Sequence, residues 1–268
     1  CVTCSNKQYH LIKRMLYGMT LIKVRYLNKY MIFIYMEQLP DELKNIMKEY
    51  LIFKPKTKEE LQEAVNLWCE NEEDALMKYG HISLWNTSLI TNMSHLFENK
   101  KNFNDNINTW DVSSVTTMED MFRRAFSFNQ PLNSWNVSNV TDVFGMFGMF
   151  RGALSFNQPL NKWNVSNVTN MGCMFEQAKN FNQPLNSWNM SSVTSIGFMF
   201  HEASSFNQPL DSWDVSSVTD MDCVFDHAIK FNQPLNSWNV SSVTDMNDTF
   251  YIASSFEYKN ALWYEYFI

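Results

Sequence analysis

The chain has 268 residues, 45% of them apolar and 18% charged, with a formal net charge of −7 at pH 7. That composition excludes a disordered polar chain and a strongly basic nucleic-acid binder. Five cysteines, an odd number in a chain of this length, do not suggest a disulfide framework.

The first 35 residues carry Lys7, Lys13, Arg14, Lys23, Arg25 and Lys29 and no acidic residue. Their longest uncharged stretches, such as Tyr30 to Met36, fall far short of the roughly 20 residues that span a bilayer. There is no single apolar core followed by a small-residue cleavage site, so we read no signal peptide and no transmembrane segment. We expect residues 1–35 to be a basic extension, either foreign to the native chain or disordered.

Residues 36–80 read as a helical cap. Leu39-Pro40-Asp41-Glu42-Leu43 opens a run with apolar residues at helical spacing as far as Leu51. Thr57-Lys-Glu-Glu60 is a capping box that predicts a second helix burying Leu61, Ala64, Val65 and Trp68. Asn71 can cap a third helix ending at Gly80.

From residue 81 to the end, one period dominates. Trp85, Trp110, Trp135, Trp163, Trp188, Trp213, Trp238 and Trp263 are separated by gaps of 25 residues, with a single gap of 28. A fixed period of this length means one supersecondary unit copied and stacked. The unit reads Phe156-Asn-Gln-Pro-Leu-Asn-Lys-Trp163-Asn-Val-Ser-Asn-Val-Thr169-Asn-Met171-Gly-Cys-Met-Phe175-Glu-Gln-Ala178, and Phe-Asn-Gln-Pro-Leu returns at Phe128, Phe181, Phe206 and Phe231. Leu-x-x-Trp-x-Val places its apolar residues as a leucine-rich repeat does around its short strand, which predicts a strand over Ser187 to Met190 and its equivalents. The following Val-Thr-Asp-Met-x-x-Met-Phe-x-x-Ala predicts one or two helical turns on the convex side. The fold class is therefore an α/β solenoid, a right-handed leucine-rich-repeat-like coil of about seven 25-residue repeats.

Two polar rows accompany the apolar ones: Asn104, Asn129, Asn157, Asn182, Asn207 and Asn232, and Thr91, Thr116, Thr141, Thr169, Thr194, Thr219 and Thr244. Both are expected to be structural ladders, because buried polar groups need partners. The 28-residue gap holds a tandem triplet, Phe144-Gly-Met-Phe147-Gly-Met-Phe150, expected to bulge from the convex side without disturbing strand register. The apolar end, Trp263 to Ile268, reads as an irregular cap or a truncated one.

The phrase Trp-Asn-Val-Ser-Asn-Val-Thr-Asn-Met-x-x-Met-Phe-x-x-Ala-x-x-Phe-Asn resembles the BspA-like leucine-rich repeat surface proteins, in the branch with a 25- to 26-residue repeat known from mycoplasma and Listeria type lipoproteins. The resemblance covers about residues 79–263. It implies a solenoid used for adhesion or protein–protein interaction at the cell surface, without enzymatic activity. The export signal of such surface proteins has no counterpart here, which leaves a cytoplasmic location open.

No catalytic constellation stands in the chain: no Gly-rich phosphate loop, nucleophile elbow or His-Glu-x-x-His. No cofactor and no metal is expected. His201 and His227 fall near each other in the repeat frame, where solvated side chains are the default. Asp142, Asp220 and Asp245 share their position with Thr117, Asn170 and Ser195, so calcium is not expected either. Nucleic acid is excluded as a partner because the array is acidic and its tryptophans belong to the apolar pattern.

The candidate binding residues flank each Trp on the expected concave face: Asp111, Asn136, Asn164, Asn189, Asp214 and Asn239 on one side, and Lys162 in a row of Thr and Ser on the other. The leading reading is a non-enzymatic scaffold that holds a protein or surface ligand along this face. The alternative is an intracellular substrate adaptor, since Leu39 to Leu51 resembles the opening of an F-box helix.

Overall fold

A computed structural model describes residues 52–141 and 144–266. The basic extension, the first expected helix and the F-box-like segment lie outside the described residues, as do Asp142 and Val143.

The N-terminal part contains two helices whose caps are those the sequence predicts. Helix α1 spans Lys58–Glu70; Thr57 Oγ1 accepts the Glu60 N–H at 3.2 Å, and the Glu60 carboxylate reaches back to the Lys56 N–H at 2.7 Å. Its buried stripe is Leu61, Ala64, Val65 and Trp68. Helix α2 spans Glu72–Tyr79, capped by Asn71 Oδ1 on the Asp74 N–H, and it ends at Gly80 with φ 77°. A glycine there removes the Cβ penalty of positive φ.

These helices sit on the first repeat. Trp68 meets Trp85 edge to face at 6.0 Å, Gln62 donates to the Leu96 carbonyl at 3.0 Å, and Lys58 reaches Ser94 Oγ at 2.6 Å. An open end of a stack would otherwise expose its apolar layer to water.

Successive 25-residue copies lie on one another as layers. Phe97, Phe122, Phe150, Phe175, Phe200, Phe225 and Phe250 form one near-parallel file with ring centroids 5.3–5.8 Å apart. Phe103 to Phe256 form a second file at 5.7–6.0 Å, and within a layer the two files meet at about 4 Å, as in Phe175 and Phe181. Offset ring packing of this kind adds to the burial of large apolar area.

From Trp110 to Trp238 each tryptophan of the repeat is buried, and its indole N–H is satisfied by the layer before it. Trp188 Nε1 donates to the Leu160 carbonyl at 3.1 Å, Trp213 to Leu185 at 3.0 Å and Trp238 to Leu210 at 3.0 Å. The Leu-x-x-Trp spacing therefore has two duties. Leucine fills the core, and its carbonyl receives the next layer's tryptophan.

The backbone departs from the expected strand. Trp188 N–H closes on the Leu185 carbonyl and Val193 N–H on the Met190 carbonyl, so two successive turns occupy the segment expected to be extended. Among the described residues, parallel bridges occur instead one step after the Thr row, at Asn92–Thr117, Asn170–Ser195, Ser195–Asp220 and Asp220–Asp245.

The expected convex helical turns are also replaced. N–H groups of Met171, Cys173, Phe175 and Gln177 donate to the carbonyls of Ser195, Gly197, Met199 and His201 in the next layer, at 2.8–3.0 Å. The intervening Met174, Glu176 and Ala178 bond three residues back within the layer. Alternate donors thus point along the stack and around it, and nearly every amide in the segment is used.

This alternation requires left-handed backbone twice per layer. Among the described residues, twelve non-glycine residues have φ between 49° and 59°, in two rows four residues apart; Cys173 and Gln177 are one such pair, Phe198 and Glu202 the next. The same rows hold Gly148 and Gly152. Left-handed L-residues cost on the order of 1–2 kcal/mol each and persist where surrounding bonds over-determine them. Here the N–H of each spans to the next layer, as Cys173 does to Gly197 and Gln177 to His201. A continuous helix is impossible across such positions.

Both expected polar ladders are present. Asn157 Oδ1 accepts the Asn182 N–H at 2.9 Å and the Gln183 side chain at 3.1 Å, and Asn182 does the same for Asn207 and Gln208. Thr219 donates its N–H and its hydroxyl to the Thr194 carbonyl, at 2.8 and 3.1 Å.

The extra triplet is absorbed between two ladders. Thr141 still donates to Thr116, 25 residues earlier, whereas Met118, Asp120, Phe122 and Arg124 donate to carbonyls 27 residues later, from Gly145 to Arg151. Beyond it, Gly148, Phe150 and Gly152 pair with Gly172, Met174 and Glu176 at the ordinary offset. The surplus therefore falls between Thr141 and Gly145, where the Phe144 side chain is exposed, and register is recovered at once.

Candidate functional site

The residues flanking each tryptophan form two exposed rows on turns. Asp111, Asn136, Asn164, Asn189, Asp214 and Asn239 are all exposed. Each uses Oδ1 to accept the N–H two residues on, from Ser113, Ser138, Ser166, Ser191, Ser216 and Ser241, at 3.0–3.2 Å. This Asx turn precedes the tight turn that carries the chain from one core valine to the next, as from Val112 to Val115. The row therefore holds the corner of every layer as well as facing solvent. Its remaining polar atoms, Nδ2 of Asn and Oδ2 of Asp, have no protein partner among the described residues.

Hydrogen bonds from the Ser113 and Ser216 hydroxyls, with the N–H groups of the same residues, hold the Asp111 and Asp214 carboxyls below their ordinary value.

On the other side of tryptophan, the hydroxyls of Ser134, Ser187, Ser212 and Ser237 donate to carbonyls of the preceding layer, at 2.6–3.1 Å. Thr109 does the same to Ser83. Lys162 stands in this row without a hydroxyl, and its backbone N–H is taken by Asn133 Oδ1 at 3.0 Å. Its side chain is exposed in a run of small polar groups.

The acids set aside as calcium ligands have a structural duty. Asp220 Oδ1 accepts the Asp222 N–H at 3.1 Å, Asn170 does so for Gly172 at 2.8 Å, and Ser195 donates to Asp220 at 2.7 Å. An oxygen at this position caps the bridge between layers, so Asn and Asp exchange there freely and Ser or Thr can stand in.

A further feature escaped the sequence reading. Glu98, Arg123, Arg151, Glu176, His201, Asp226 and Tyr251 occupy one repeat position and form a file of ionisable groups along the left-handed segment. Arg123 lies 3.3 Å from Glu98 and 3.1 Å from Asp120, and Arg151 lies 2.9 Å from Glu176. His201 sits between layers, Nδ1 3.9 Å from Glu176 and Nε2 3.2 Å from Asp226, while His227 Nδ1 lies 2.5 Å from Asp226. The expectation of solvated histidines is thus corrected: the His201 side chain is only 18% exposed and is enclosed by carboxylates. Adding 25 to 201 gives 226, so the pairing was there to be found. The variable residues hid it, because the row has no common residue type.

Burial alone would raise the Glu176 carboxyl, but the facing His201 and Cys173 and the Arg151 charge outweigh it and hold it low. The Glu176 carboxylate in turn raises His201 above the usual imidazole value. Asp120 is raised, because its burial outweighs Arg123 and His95, which both act to lower it. Cys173 is buried, its thiol pushed up to about 12 first by burial and then by Glu176, which makes it a poor nucleophile.

Stacked near-identical layers define a tandem-repeat protein. The chain matches the family described as "Mycoplasma protein of unknown function, DUF285" over residues 68–171 and again over residues 146–263. These stretches together cover well over half of the chain, and the protein belongs to that family. No curated protein and no solved structure matches it. Among the described residues, no helix is long and apolar enough to cross a membrane.

Proposed function

We propose that this protein is a non-enzymatic interaction scaffold, a leucine-rich-repeat-like solenoid of the BspA-like surface type, that holds an extended protein or surface ligand along its exposed Asx row. The observation that supports this reading most is the repetition of one small polar corner, in nearly the same chemical form, from Asp111 to Asn239. Any group that fits one corner fits its neighbours, so weak contacts multiply with the number engaged. Large aromatic or arginine anchors are missing from the row, which favours distributed contact over a single hot spot. The ordered corner adds to this, because an Asx side chain already held by its own turn loses little freedom on binding.

The test compares two variants on a panel of immobilised extended proteins, with folding checked by circular dichroism. Replacing Asn164 alone by Ala should change retention little. Replacing Asn136, Asn164, Asn189 and Asn239 together by Lys should abolish it. Full loss from the single change, or full retention by the folded quadruple variant, would refute the distributed model, and a wild-type chain retained by no member of the panel would count against the scaffold itself.

A further inference from the structure

Among the described residues, two places in the stack bring three metal-type side chains together, with ligand atoms within 4.8 Å of one another: His95, Glu98 and Asp120, and His201, Asp226 and His227. Charge separates the two. At the first, the Arg123 guanidinium stands 3.3 Å from Glu98 and 3.1 Å from Asp120, so the carboxylates already have their cation. A divalent ion there would have to displace or repel it. At the second, Asp226 forms no ion pair with Lys or Arg among the described residues, and its two oxygens face two imidazoles.

We propose that His201, Asp226 and His227 form a binding site for a first-row divalent cation of the zinc type. Tetrahedral zinc with nitrogen and oxygen ligands near 2.0–2.2 Å places neighbouring ligand atoms about 3.3 Å apart. His201 Nε2 and Asp226 Oδ2 are separated by 3.2 Å, so that edge needs no adjustment. His227 Nδ1 stands 2.5 Å from the other oxygen, Asp226 Oδ1, and that contact would open as Nδ1 turns to the ion held by Oδ2. A fourth position remains for water on the side of His227, whose side chain is 40% exposed.

The surroundings of His201 fit a ligand role. Its Nδ1 is buried without a hydrogen bond and faces Glu176 Oε1 at 3.9 Å, and Glu176 is clamped by Arg151. A carboxylate facing the distal ring nitrogen favours the proton there by its charge and leaves Nε2 to ligate; closing the 3.9 Å gap to a hydrogen bond on metal binding would give the support usual for a metal-bound histidine. The backbone holds the other two ligands still: His227, at φ 55°, donates its N–H to Tyr251 at 2.8 Å, and Asp226 bonds to Cys223 at 3.2 Å. Because His201 and Asp226 occupy one repeat position in adjacent layers, an ion here ties those layers together. Other layers hold Glu, Arg or Tyr at that position, so among the described residues this arrangement occurs once.

The test is titration of the EDTA-stripped full chain with Zn2+ by calorimetry, repeated with Co2+ by visible absorption. The site is read as the difference between wild type and His227→Gln, which separates it from any binding by cysteines elsewhere. His227→Gln and Asp226→Asn should each weaken this site by at least about tenfold, and Glu176→Gln by about 10- to 100-fold, as for other supporting carboxylates. His95→Gln should leave it unchanged, and Co2+ bound there should show no thiolate charge-transfer band. The proposal is overturned if neither ion binds at millimolar concentration, or if affinity is the same in wild type and in the folded His227→Gln and Asp226→Asn variants. An equal loss in His95→Gln would also overturn it, since that places the ion elsewhere.

Discussion

Truncating Trp188 to Ala tests the packing of the stack most directly. The side chain is 2% exposed, its ring lies against Phe175 at 6.3 Å, and its N–H satisfies the Leu160 carbonyl in the preceding layer. Losing a buried aromatic of this size costs about 3–5 kcal/mol. The Leu160 carbonyl keeps the Trp163 N–H at 3.0 Å, so losing the indole hydrogen bond adds about 0.5–1.5 kcal/mol. Together these reach the lower end of the stability of an ordinary domain, about 5–15 kcal/mol. Because each layer touches only its neighbours, the loss should open the layers around residues 163–213 before the rest. Trp188→Phe separates the terms, keeping most of the ring and removing the donor, and should cost roughly 0.5–1.5 kcal/mol. Urea unfolding followed by circular dichroism gives both numbers, and hydrogen exchange shows which layers open first. A cost below about 1 kcal/mol for Ala, or equal costs for Ala and Phe, would refute the reasoning.

Deleting either Phe-Gly-Met triplet between Phe144 and Phe150 yields the same chain and restores the 25-residue period, so thermal unfolding should shift by only a few degrees, about 1 kcal/mol; collapse of cooperative unfolding would show that the insertion is structural. Gly148→Ala places a methyl group on Asp120 Oδ1 at φ 60° and should destabilise by about 2–4 kcal/mol. Gly152→Ala meets Arg124 Cγ at 3.3 Å and the Arg124 backbone only at ordinary contact distance, and should cost about 1–2 kcal/mol; the reverse order in thermal melts would contradict the geometry. Ser216→Ala should raise the Asp214 pKa toward its ordinary value, read by carboxylate NMR titration. The sign follows from the lowered folded-state pKa: the Asp214 contribution is present above the unfolded value of about 3.9 and lost as pH falls through the folded one. An Asp214 titration unmoved by the substitution would dissociate the shift from the Asx turn.

The sequence by itself determined what depends on spacing. A 25-residue period of Trp and Phe can only become files of buried rings once copies stack, and the invariant Asn and Thr are legible as ladders because each is next to a backbone group it can satisfy. The caps Thr57 and Asn71 were equally readable, since capping is local chemistry. What the chain alone withheld were the features made by bonds between layers. The stretch from Met171 to Ala178 has apolar residues at helical spacing, yet half its N–H groups bond to the next layer and its left-handed positions hold Cys173 and Gln177, neither of which announces positive φ. In other layers Gly148, Gly152, Asn99, Asp120 and Asp248 hint at it. The segment from Ser187 to Met190 looks like a strand because its side chains alternate, but turns at either end claim the backbone. The Asx row was found by position, while its role in closing each corner needed the hydrogen bonds. His201, Asp226 and His227 carry no shared pattern, and they meet only because stacking places residues 25 apart side by side, within reach of one another's polar atoms.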